Sequence, residues 1–165
     1  MSILLNDFAH RENVDVSVLL IGRYRSVAFE LHPNIKVFTP SFTFDETKRH
    51  KSTFKTMLFI RKTIIELNPD SVLSFGELWN NLVLLSLKGT DFPVYISDRS
   101  QPNKNLGKLH NFLRNILYPK AKGFISQTSH AAEIAKFKHW NKNITIIGNP
   151  VRTLKSPKVE KENIV

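Results

Sequence analysis

The chain has 165 residues, 41% of them hydrophobic and 10% aromatic, and a formal net charge of +10. Such a chain is long and apolar enough for one globular domain with a proper core, which excludes a disordered polypeptide. Cysteine is absent, so disulfides and thiolate metal ligands are excluded, as suits a reducing compartment.

Residues 2–12 read as a helix with Ile3, Leu4 and Phe8 on one face. Residues 14–21 form an expected strand that starts with alternation and ends fully apolar, as an inner strand does. Residues 35–38 are a short strand closed by Pro40. Residues 42–51 are polar. Phe54, Met57, Leu58, Ile64, Ile65 and Leu67 then recur at helical spacing, with Lys55, Arg61, Lys62 and Glu66 on the outside, and Asn68-Pro69-Asp70 ends the helix. Residues 71–75 are the next strand. Residues 78–88 are apolar nearly all round and predict a buried helix, with Gly89 as a C-cap glycine.

Residues 93–97 are a strand that stops abruptly at Asp98, Arg99 and Pro102. Leu106, Leu109, Phe112, Leu113, Ile116 and Leu117 make an amphipathic helix ended by Pro119. Residues 123–126 are a strand, residues 129–138 a helix with Thr128 as N-cap, and residues 144–147 a further strand. Residues 152–165 read as a linker or the start of another domain, with Ile164 and Val165 opening a strand.

Strand and helix alternate with short connections, the pattern of an α/β fold with a doubly wound parallel sheet, Rossmann-like, as one domain over 1–151. Two features depart from it. The chain opens on a helix where such a domain opens on a strand, and no Gly-rich turn follows the first strand. The sheet is therefore expected to lack its usual first strand, which is central in this topology; either the chain is a fragment with a hole in the middle of its sheet or neighbouring strands close the gap.

No run reaches the length of a membrane span; the densest, 82–87, is interrupted by Ser86. The N-terminus lacks the basic start and small-residue cleavage site of a signal peptide, so the expected location is cytoplasmic. Between Arg99 and Val159 stand twelve Lys or Arg residues against one acid, Glu133. That field suits anionic partners: acidic lipid surfaces or phosphorylated ligands. Nothing beyond charge points to nucleic acid. The six histidines show no metal-ligand spacing, and no nucleophile elbow or P-loop is present, so no metal is expected. Trp79 and Trp140 read as packing residues.

In an open α/β sheet, ligands bind beyond the carboxyl ends of the strands. The loops there carry Glu77, Asn80 and Asn81, then Asp98 and Arg99, then Gln127 and Thr128, then Asn149. Asparagine amides both donate and accept, as sugar hydroxyls require, or they cap the helix that follows. Arg99 suits a phosphate or carboxylate, or a structural pair with Asp98 or Glu77. Gln127 and Thr128 open a helix whose N–H groups favour anions or hydroxyls.

Taken in order, these loops resemble the family 4 glycosyltransferases, retaining enzymes of the GT-B fold. PDSVLSF at 69–75 followed by Asn80 resembles one family segment, and SDRSQP at 97–102 resembles its "SERxxP" loop. Tyr118, Ala121, Gln127 and Thr128, and then IGNPV at 147–151, resemble two more. The resemblance implies the acceptor-side, N-terminal domain of an enzyme that transfers a sugar from a nucleotide-sugar donor to a glycan or lipid-linked acceptor in cell-surface polysaccharide synthesis. It implies no cofactor and no metal. It also implies a position at the inner membrane face, and a chain truncated at both ends, without the domain that binds most of the donor. Arg99, Asp98, Asn80, Glu77, Gln127 and Asn149 become the expected substrate-binding residues; no catalytic residue is assigned. The rival expectation is a non-catalytic basic module that docks on anionic membrane or phosphorylated ligands.

Overall fold

The computed structural model describes residues 2–22 and 30–150. The linker expected at 152–165, with Arg152, Lys155, Lys158 and Ile164, lies outside the described residues.

Among the described residues, five α-helices and six strands follow one another as α1 (Ser2–Ala9), β1 (Ser17–Leu19), β2 (Lys36–Phe38), α2 (Arg49–Leu67), β3 (Val72–Phe75), α3 (Glu77–Ser86), β4 (Val94–Ser97), α4 (Lys108–Leu117), β5 (Gly123–Ser126), α5 (Ser129–Phe137) and β6 (Ile144–Ile146). The order is α/β and every strand pair is parallel. The fold is Rossmann-like, as the alternation predicts. Local chemistry sets the ends. Asn68 adopts the left-handed conformation at φ 44° and its N–H returns to Ile64 O, closing α2 ahead of Pro69. Thr128 caps α5 by accepting a hydrogen bond from Ala131 N at 3.1 Å. Pro119 sits in a 3-10 turn at Tyr118–Lys120 that ends α4.

Strands β3, β4, β5 and β6 form one sheet in that order, and β1 and β2 form a second sheet of two strands. Among the described residues no backbone ladder joins the two. In a doubly wound domain one central strand bridges such halves. β1 and β3 each pair on one side only. The halves meet through side chains instead: Leu19 and Ile21 pack against the main core. Gly22, with φ 109°, lies beside Trp79 on the first turn of α3. A Cβ there would stand 3.1 Å from the indole.

The core sits on the four-stranded sheet. Ile96 at its centre is fully buried, with Val94, Phe124, Leu117 and Ile60 around it. Tyr118, Phe124 and Trp140 form a triangle of rings with centroids 5.9–6.4 Å apart.

Two helices turn differently from the expectation. The buried face of α2 is Ser52, Thr56, Ile60, Thr63 and Ile64, while Phe54, Leu58 and Ile65 are exposed. On α4, Arg114 and Leu117 are buried, whereas Leu109, Phe112 and Ile116 are 67%, 61% and 42% exposed. Small hydroxyl side chains let α2 approach closely, and Thr56 satisfies its own hydroxyl on Ser52 O at 2.9 Å. Arg114 turns inward because Asp98 and two aromatic rings receive it. Helix α3 is buried through Asn80, Asn81, Val83 and Leu84, but Leu78 and Trp79 reach solvent, so Trp79 is not a fully packed residue.

Candidate functional site

The carboxyl ends of β3, β4, β5 and β6 gather the expected residues into an inner and an outer group. The inner group is built around Asn80 on α3. Its side chain is fully buried, and Nδ2 lies within bonding reach of Ser97 O at 3.2 Å, Asp98 Oδ1 at 2.9 Å and the Tyr118 hydroxyl at 3.2 Å. Tyr118 donates to the same Asp98 oxygen at 2.6 Å. The other carboxylate oxygen stands 3.9 Å from Arg114 Nη2.

Burial is the main influence on Asp98 and pushes its pKa up to about 6; the Tyr118 hydroxyl, the Arg114 charge and Asn80 pull against it. Burial, and then the neighbouring Asp98, raises Tyr118. Glu77 behaves oppositely. Burial acts to raise it, but its own backbone amide, the Ser100 N–H and hydroxyl, and the Arg114 charge together hold it below the usual range. Its two oxygens accept from Ser100 N at 2.7 Å and Ser100 Oγ at 3.1 Å. Glu77 thereby ties the loop after β4 to the first turn of α3.

Gly76 makes this turn possible. It takes φ 93° between β3 and α3, a conformation other residues rarely adopt, and no side chain caps the helix. Glu77 and Asn80 are therefore free to reach across to the next loop.

The outer group is Arg99, Gln127 and Asn149. Gln127 and Asn149 exchange reciprocal amide hydrogen bonds, both 3.0 Å. Arg99 Nη1 donates to Asn149 Oδ1, and its guanidinium lies 4.7 Å from the Phe75 ring centroid. Its Nε is buried with no hydrogen-bond partner among the described residues. Burial lowers the Arg99 pKa. Arg99 pairs with neither Asp98 nor Glu77; Asp98 turns inward and Arg99 outward. Below them a small cavity of about 100 Å³ is lined by Asp98, Ser100, Ser126, Gln127 and Thr128.

Three residues of this arrangement carry no expected role from sequence: Ser100, Arg114 and Tyr118. The trace of Arg114 is its spacing, three residues before Leu117 on the face that α4 buries. Chemically, the outer group offers a guanidinium and two amides, donors and acceptors suited to hydroxyl-rich or anionic ligands. Among the described residues no cluster of His, Asp or Glu could hold a metal ion, and no helix is long and apolar enough to cross a membrane. In comparison with known proteins, no family model matches the chain and no curated protein sequence matches it.

Proposed function

We propose that this chain is the acceptor-binding half of a retaining glycosyltransferase, one that moves a sugar from a nucleotide-sugar donor to a glycan or lipid-linked acceptor. The observation that carries the reading is the convergence of Arg99, Gln127 and Asn149, from three successive strand-end loops, at the carboxyl edge of a parallel sheet. In this reading the three side chains hold acceptor hydroxyls or a phosphate. The inner network of Glu77, Asn80, Asp98 and Tyr118 fixes the loop that presents Arg99. In this reading the donor nucleotide falls to a second domain across a cleft, which would supply the rest of the transition-state contacts.

Chemical-shift mapping with a panel of mono- and disaccharides and their phosphates tests the site. The side-chain amides of Gln127 and Asn149 and the Arg99 guanidinium are expected to shift with at least one member. Arg99→Ala is expected to weaken that binding about tenfold, the loss of one charge-assisted hydrogen bond. Binding that is unchanged in Arg99→Ala, or perturbs other residues only, would refute the site.

One observation favours a second reading, a module that docks on anionic membrane. The exposed stripe Leu109, Phe112 and Ile116 lies on a strongly amphipathic helix that begins at Lys108 and is followed by a turn ending at Lys120, on a chain of net charge +10. Sedimentation with phosphatidylglycerol vesicles is expected to carry the protein down at low salt and release it at high salt. The double substitution Leu109→Ser and Phe112→Ser is expected to reduce binding about tenfold or more, because two apolar side chains leave the interface. Equal binding to neutral vesicles, or no effect of the double substitution, would count against docking through α4.

A further inference from the structure

We propose that the cavity beside α4 and the end of α5 is a binding site for a phosphate-bearing ligand, with Arg114 as its buried anchor. The cavity has a volume of about 390 Å³, and its lining comprises Asn103, Lys104, Asn105, Asn111, Arg114, Asn115, Lys138 and Trp140. It contains none of the three outer residues of the strand-end site, so the proposal stands apart from the acceptor reading.

Arg114 is 3% exposed. Its Nε and Nη2 have no hydrogen-bond partner among the described residues. Asp98 Oδ2, at 3.9 Å, is beyond hydrogen-bond reach, and Asp98 does not line this cavity. A guanidinium taken out of water with its donors unmet is costly unless something else meets them. Here the ring of Trp140 holds it in place: the Arg114 guanidinium lies 4.5 Å from the ring centroid and Lys138 Nζ lies 5.2 Å from it. Two cations are thus fixed on one aromatic ring, and Lys104 adds a third to the wall.

The asparagines decide the sign of the ligand. Asn105 Oδ1 accepts from Gly107 N at 2.9 Å and from Asn111 Nδ2 at 2.8 Å. Asn111 Oδ1 accepts from Leu106 N at 3.2 Å, and Asn115 Oδ1 from Trp140 Nε1 at 3.1 Å. The side-chain carbonyl oxygens of these three asparagines are engaged by the protein, so what they, the two lysines and Arg114 offer the cavity is amide N–H groups, ammonium groups and a guanidinium. No carboxylate is among the lining residues. A wall of donors with three cations and no carboxylate suits a phosphate. The volume exceeds what phosphate alone needs and falls in the range of small-molecule sites, so a phosphate ester carrying a polar group the size of a monosaccharide fits.

Calorimetric titration of the full chain with inorganic phosphate and with glucose 1-phosphate tests this, beside sedimentation with phosphatidylglycerol vesicles. The expected result is saturable binding of the soluble phosphates that also raises the melting temperature. Arg114→Met, which keeps the apolar stem, is expected to weaken binding by about tenfold or more. Lys138→Met removes an exposed charge, leaves the fold intact and is expected to weaken binding severalfold, so the test survives if Arg114→Met does not fold. Vesicle binding displaced by glucose 1-phosphate and lost in Lys138→Met would support the site and name a lipid headgroup as the source of phosphate. Failure of both soluble phosphates to bind saturably, or binding unchanged in Lys138→Met and in any folded Arg114→Met, overturns the proposal.

Discussion

Asp98→Ala is expected to lower the free energy of unfolding by about 3–5 kcal/mol, a large share of what holds a domain of this size together. The carboxylate side chain is 10% exposed and holds four elements at once. It accepts from Asn80 on α3 and Tyr118 beyond α4, follows β4, and faces the buried Arg114 charge. Removing it takes away the carboxylate that faces that guanidinium and leaves the Tyr118 hydroxyl and one Asn80 contact unmet. Urea denaturation at pH 7 reads the loss. A change below about 1 kcal/mol would show that Arg114 gains little from Asp98.

Asp98→Asn separates the charge from the shape. Asp98 titrates near 6 in the folded chain against an ordinary value of 3.8. Between those values the folded state holds a proton that the unfolded state has released. Its contribution to stability is therefore complete below pH 3.8, declines as pH rises, and is lost above about 6. The stability of the wild type minus that of Asp98→Asn is expected to fall across this window and then level. Glu77, whose pKa is lowered, works in the opposite direction, and its charge is also one of the influences that raise Asp98. A difference that is flat or rises from pH 4 to pH 6 would contradict the burial of Asp98.

Hydrogen exchange is expected to divide the protein in two. The amides of Leu20 and Lys36, bonded within the two-stranded sheet, are expected to exchange at least about a hundredfold faster than those of Lys122 and Phe124 in the main sheet. Strands β1 and β2 have three residues each, and none of their side chains is fully buried. A two-stranded unit is marginal unless it packs on something larger. Leu19 and Ile21 supply that packing, and nothing described supplies a connecting ladder. Equal protection in both sheets would mean that they open as one cooperative unit.

The strands were legible because their apolar runs are short and bounded by Gly, Pro and Asn; β5 falls on residues 123–126 as expected. The split of the sheet was only half legible: the sequence left open whether neighbouring strands close the gap, and the described ladders leave the two sheets unjoined. Helix orientation was not. The apolar stripes of α2 and α4 are wide, and periodicity cannot say which edge of a stripe faces inward. In α4 the answer depends on Arg114 meeting Asp98 and Trp140, partners distant in sequence. The candidate site was half legible. Strand-end placement brought Arg99, Gln127 and Asn149 together. That Asn80 and Asp98 turn inward depends on the Tyr118 hydroxyl, which only folding brings across from the end of α4.

The position of Trp79 has a spectroscopic consequence. The chain has two tryptophans. Trp140 is 2% exposed inside the aromatic triangle, while Trp79 is 37% exposed and rests against Gly22, where the two sheets meet. Their emission therefore divides into a blue component from the core and a redder one from the seam. A quencher in the solvent reaches the second first. With Trp140→Phe or Trp79→Phe, the remaining indole reports on the seam or on the core alone, so loosening of the seam can be timed separately from melting of the core.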